Sequence, residues 1–285
     1  MNQPLGIDHT KSILFVIIGA PTIKMRNRVR KLISVILGVL TFGLVYADDH
    51  GSNWLVEIGE GVSQSSHLCS LKGKATLADV DKIDAKLHKW HDDNGVNITR
   101  SRLEPLFTGA STIPYDFISV DWMTWETFGD GWDKFLTSSE GQSVFAAYNK
   151  IMDCTRVVGT IYPMFRKASA KQDDQGVVTV NWCTRKDGVS QDSLIARHRT
   201  YRDGLTDDAA MQWWGIGYPS AGARKGQFPG EFYHWNTYAD MKAYAQAENN
   251  MANNEGWRSR QDYYDSYADC SGALLMTHTV LKRNN

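Results

Sequence analysis

Leu77, Val80, Ile83, Leu87 and Trp90 recur at steps of three and four residues, which is the spacing of one face of an α-helix. Thr76 stands where such a helix wants its cap, and Asn94-Gly95 stands where it should stop. "SSHLCSL" before this helix and "ITRSRLEPLF" after it are rich in β-type residues and read as strands. A loop rich in Gly, Pro and Ser follows, then the apolar strand "YDFISVDWMTW". A second helical stretch runs on to Cys154, and "TRVVGTIYPMF" closes the series as a strand. The same order then returns. "GVVTVNWCTR" leads into a helix from about Ser190 to Gly204, followed by "AAMQWWGIGY", "GEFYHW", a helix to Cys270 and the strand "ALLMTHTVL".

The chain therefore reads β-α-β-β-α-β twice, the ferredoxin-like split unit. Three landmarks recur in one order. Cys69 is answered by Cys183, "WETFGD" at Trp125–Asp130 by "WNTYAD" at Trp235–Asp240, and Cys154 by Cys270. The shifts are 114, 110 and 116 positions, the size of a domain. We expect repeats at 53–165 and 177–283, with the polar stretch 166–176 as linker. In each Trp-x-Thr box, Thr127 or Thr237 is expected to cap the second helix, with Asp130 or Asp240 reaching back. Trp125 and Trp235 are expected to pack into the core. In this topology the first and last strands are antiparallel neighbours. That arrangement pairs Cys69 with Cys154 and Cys183 with Cys270.

An apolar run from Leu32 to Ala47 follows the basic residues Arg26, Arg28, Arg30 and Lys31, and ends Val45-Tyr46-Ala47. This is the order of a secretory leader, so residues 1–47 are expected to be cleaved, with Met25 as the start. A retained anchor is the alternative, although the run of 16 residues is short for a span. The 285-residue chain carries 31 basic and 32 acidic residues. Taking away Lys11, Lys24, Arg26, Arg28, Arg30, Lys31 and Asp8 leaves the remainder about six charges negative. Nucleic acid is therefore not an expected partner. Four cysteines in an exported chain fit a periplasmic or secreted protein with two disulfides.

Chemistry is sparser. Alternation puts Phe117, Ser119, Asp121 and Met123 on one face of their strand, and Ile118, Val120 and Trp122 on the other. The mixed face, with its acid, is expected to look into the interior. Aligning the two boxes matches Asp121 with Glu231. With His67 and His234 these are the candidates for acid–base catalysis. Met123, Tyr233, Trp213, Trp214 and Tyr218 are candidate ligand contacts. His88, His91 and Asp92 sit at helical spacing but read as a solvated face, so no metal site is expected. No nucleophile elbow, phosphate-binding loop, dinucleotide fingerprint or haem-attachment motif occurs.

The element order, the repeat size and a strand ending in Trp before a Thr-capped helix resemble the dimeric α/β-barrel superfamily. That superfamily includes antibiotic-biosynthesis-monooxygenase-like and stress-responsive barrel domains. The resemblance implies two units packed sheet to sheet, here as one barrel within one chain, with a pocket for a small molecule. It leaves haem open, although no cofactor is expected from the residues themselves. The functional expectation is an exported protein that binds a small apolar or aromatic ligand, as monomer or dimer. The alternatives are a cofactor-independent monooxygenase or isomerase, and an interaction protein with a filled barrel.

Overall fold

A computed structural model describes residues 57–108, 115–170, 173–223 and 228–283. The described residues belong to one compact unit, 52–285. The expected leader at 1–47 lies outside them. The first half contains β1 (Val62–Leu71), α1 (Leu77–Asp93), β2 (Thr99–Phe107), β3 (Phe117–Met123), α2 (Trp125–Thr137), α3 (Ser139–Ile151) and β4 (Met152–Arg166). The second contains β5 (Gln175–Arg185), α4 (Gln191–Asp203), β6 (Trp213–Ala221), β7 (Phe232–Tyr238), α5 (Met241–Asn253), α6 (Gly256–Ser266) and β8 (Ala268–Lys282). No described helix is long and apolar enough to cross a membrane.

The eight strands close into an antiparallel barrel in the order β1-β3-β2-β8-β5-β7-β6-β4. Each half supplies four consecutive strands of the ring. The halves join where β2 pairs β8 and where β4 pairs β6. An eight-stranded barrel has an interior just wide enough for side chains to fill. Leu103, Ile118, Val120, Ile161, Val178 and Met276 fill it here, all but Ile118 buried to 0% exposure. Each such side chain contributes roughly 1.5–3 kcal/mol. Gln64 shares this interior, and its Oε1 accepts a hydrogen bond from the Tyr233 hydroxyl. Gly215 and Gly217 make room for the large rings, because a Cβ on either would strike Trp213 or Tyr233.

The first helix of each half obeys its local signals. Thr76 and Asp79 form the capping box of α1, and Asn94 ends it with Gly95 at φ 64°. Ser190 caps α4 through a bond from the Ser193 amide, and Gly204 ends it. Cys69 lies directly opposite Cys154 across β1 and β4, and Cys183 opposite Cys270 across β5 and β8. Both pairs are disulfides. They span 85 and 87 residues, and each is worth about 4–5 kcal/mol in the chain-entropy model.

The Trp-x-Thr boxes need correction. The cap of α2 is Thr124, which accepts from the Thr127 amide, so Thr127 lies inside the helix and Trp125 is 40% exposed. In the second half Thr237 is still in β7, and the cap is Asp240, accepting from the Ala243 amide. The two boxes are thus at different joints. The second helical stretch is also two helices in each half, broken at Ser138 and again at Asn254-Glu255. Ser138 ends α2 and caps α3, so its hydroxyl serves the new helix by accepting from the Gly141 amide.

Candidate functional site

The face reading of β3 also needs correction. Ile118, Val120 and Trp122 pack in the barrel interior, and Phe117, Ser119, Asp121 and Met123 face the helices. The reason is partner supply. On the helix-facing side Arg100 of β2 pairs with Asp121, whereas the barrel interior is filled mainly by apolar side chains.

On that side β2 contributes Arg100, whose side chain is 3% exposed. Its Nη1 donates to both oxygens of Asp121 at 2.7 and 2.8 Å, and its Nη2 lies 3.2 Å from Asp84 Oδ1. Arg102 bridges Asp84 Oδ2 at 2.9 Å and Asp81 at 2.6 Å. Tyr148, from α3, donates to Asp84 Oδ1 at 2.5 Å. Burial alone would raise the Asp84 pKa, but Arg100, Tyr148 and Arg102 outweigh it and hold the carboxyl below its usual range. Beside this cluster is a cavity of about 70 Å³ lined by His67, His91, Arg100, Ser119, Asp121 and Arg156 among others. His67 donates to or accepts from Ser65 Oγ at 3.1 Å. Burial lowers the pKa of both His67 and His91 to about 4, so each is neutral at pH 7.

The second half builds the same corner from other residues. His234 on β7 accepts at Nδ1 from the Trp214 indole at 3.2 Å, which places its proton on Nε2. That Nε2 therefore donates to the Tyr263 hydroxyl at 3.1 Å, and Tyr263 donates to His198 Nε2 at 2.9 Å. The chain Trp214–His234–Tyr263–His198 has one direction throughout. Burial holds His234 down to about 4 and His198 to about 2, and raises Tyr263. Trp214, Phe232, Tyr201 and Tyr263 pack this corner as rings in contact.

A larger cavity, about 160 Å³, opens at the barrel end where β3, β4 and β7 finish. Trp122 and Trp235 meet edge to face there, 5.4 Å apart, with Trp213, Val62, Ile161 and His278 around them. The Trp122 indole Nε1 is buried with no hydrogen-bond partner among the described residues. His278 is tied to Ser101 Oγ at 2.9 Å, and burial lowers its pKa to about 4. Arg166, Asp173 and Arg283 stand at the rim, with Arg283 held by Asp174.

The candidate residues therefore separate. His67, Asp121 and Met123 line the small cavity, and His234 and Trp214 lie in the aromatic corner. Tyr218 also faces helices, accepting from Gln191 at 3.1 Å and stacking on Phe232. Tyr233 fills the barrel centre, and Trp213 reaches the large cavity. Glu231 is exposed at the edge of β7, where it accepts from the Arg185 amide. Its counterpart is Asp116, which accepts from the Leu71 amide, whereas Asp121 corresponds to Asn236. The alignment on the boxes was thus five positions out of step with the cysteines. Arg100, Asp84, Tyr148 and Tyr263 were not anticipated. A usable signal existed for Asp84, which interrupts the apolar face of α1 between Val80 and Leu87. His91 is buried and lines the small cavity, and His88 is half-buried, so this is not a solvated face. Among the described residues no cluster of three metal-ligating side chains occurs.

No family model and no curated protein matches the chain. Solved structures of similar outline include a protein provisionally named a monooxygenase from Fusobacterium nucleatum. It is 9% identical with TM-score 0.49, covering 80% of this chain and 95% of that one. A chlorite dismutase from Candidatus Nitrospira defluvii is 11% identical with TM-score 0.45, covering 79% and 93%. A heme-binding protein from Thermus thermophilus is 11% identical with TM-score 0.42, covering 79% and 93%. These likenesses assign no residue a role. The two described cavities are too small for haem. Pockets for larger organic ligands run to roughly 300–1,000 Å³, and neither cavity reaches that range. The Nε2 atoms of His67, His198 and His234 are all engaged within the protein.

Proposed function

We propose that this is an exported, disulfide-braced barrel, built of two like halves, that holds a small single-ring ligand in its open end. The observation that carries the reading is the unpartnered Trp122 Nε1 in a cavity of about 160 Å³ whose wall includes Trp122, Trp213, Trp235 and Tyr238. A cavity near 150 Å³ holds one benzene-sized ring. A buried donor without an acceptor is costly, so the ligand is a ring that carries one carbonyl or ether oxygen. The two disulfides support an oxidising compartment. The acid–base alternative gains nothing from this geometry, because both Asp121 oxygens are committed to Arg100 and Glu231 is exposed.

Calorimetric titration with acetophenone and with toluene tests the proposal. Acetophenone should bind the tighter of the two. Trp122→Phe keeps a ring but removes the donor, and should weaken acetophenone by about tenfold while leaving toluene unchanged. Absence of binding by both probes, or equal loss for both in the variant, would sink it.

A further inference from the structure

The small cavity of the first half is lined by residues with unpartnered polar atoms, two of them arginine donors. Arg100 Nε, Arg156 Nε, Ser119 Oγ and His91 Nδ1 are all buried without a partner, and all four residues line it. Ser119 is 1% exposed and Arg100 2%.

Around the cavity three arginines, Arg100, Arg102 and Arg156, stand beside three carboxylates, Asp81, Asp84 and Asp121, and Arg156 alone is outside the ion pairs. Arg100 is answered by Asp84 and Asp121, and Arg102 by Asp84 and Asp81. Arg156 makes no ion pair among the described residues. Its Nη2 donates to the Asn149 side chain at 3.2 Å, and its guanidinium lies 4.8 Å above the Phe145 ring. On the wall itself two arginines face one carboxylate, Asp121, whose oxygens are both held by Arg100. His67 and His91 complete the polar lining. A half-buried guanidinium with no counter-ion is the arrangement that a bound anion would complete.

We infer that the cavity between the first-half sheet and its helices is a binding site for a small monovalent oxyanion of the carboxylate class, received by Arg156, Ser119 and the Arg100 Nε. A cavity of about 70 Å³ has room for on the order of five water molecules, or one solute of a few heavy atoms. A planar carboxylate offers several acceptor sites to these donors and neutralises Arg156. Among the described residues the same corner of the second half is packed with rings instead.

The test uses the intact chain with both disulfides formed and sodium formate as probe. Sodium chloride at matched ionic strength and formamide are the references. Formate should raise Tm above the chloride reference and quench Trp90 and Trp132, which line the cavity. Formamide, of the same shape without the charge, should do neither. Arg156→Gln leaves the buried Arg100 ion pairs untouched and should weaken formate at least about tenfold. Ser119→Ala should weaken it less, and keeps the test decisive if Arg156→Gln does not fold. Formate acting no differently from chloride, formamide acting like formate, or unchanged formate affinity in both variants would each overturn the assignment.

Discussion

One corner of the fold is built twice, with opposite chemistry. In the first half Asp84, Arg100, Asp121 and Tyr148 form a buried ionic cluster. In the second, His198, Trp214, Asn236 and Tyr263 occupy the corresponding places on α4, β6, β7 and α6. Only the tyrosine is common, and in both halves it donates to the residue on the first helix. The difference teaches that such a corner changes as a set. Removing one member of a buried ion pair strands its partner at about 3–5 kcal/mol, so an arginine cannot give way to tryptophan while both acids stay. The ionic corner keeps a cavity because guanidinium and carboxylate meet at fixed geometry and leave space beside them. The aromatic corner closes because rings pack edge to face.

The largest effect should come from acid, because both corners bury neutral histidines. His67, His91, His234 and His278 are held near 4 and His198 near 2, against 6.5 when exposed. Below pH 6.5 the unfolded chain binds protons that the folded chain refuses, so stability falls as pH drops from 6.5 towards 4. Urea midpoints should decline steadily over that window. A flat profile would remove the common feature of the two corners.

Next in size is Arg100→Met, expected to cost about 3–5 kcal/mol because Asp84 and Asp121 lose their shared cation. Adding Asp84→Asn and Asp121→Asn should recover much of it in the same urea measurement. At the matching place Trp214→Phe should cost about 1–3 kcal/mol, the loss of a donor to His234. Equal costs at the two places would break the comparison. The smallest effects separate the tyrosines. Tyr263→Phe leaves His198 and His234 without their common partner and should cost about 1–3 kcal/mol. Tyr148→Phe should cost about 1 kcal/mol, since Arg100 and Arg102 still hold Asp84. The reverse order in equilibrium unfolding would show that Tyr148, not the arginines, secures the acid.

Much of the fold was legible because its signals are local. Thr76 and Ser190 announce helix starts, Gly95 and Gly204 announce helix ends, and alternation marks the strands. The cysteine pairs followed from strand order, which needs only the element sequence. The site was less legible. Asp121 is on an alternating strand whichever way that strand faces, and alternation carries no sign. The Trp-x-Thr boxes misled because similar letters served different joints, a helix start at Trp125 and a strand at Trp235.

By itself the sequence determined two four-stranded halves of one element order, and which cysteines could meet. Helix caps, helical spacing and antiparallel neighbours depend on nearby residues, so they are written along the chain. Only the tertiary structure decided which face of β3 is inside, that the barrel centre is filled, and that Arg156 makes no ion pair among the described residues. Those depend on what lies opposite. Arg100 and Asp84 come from separate elements to hold Asp121, and burial makes such pairing matter energetically.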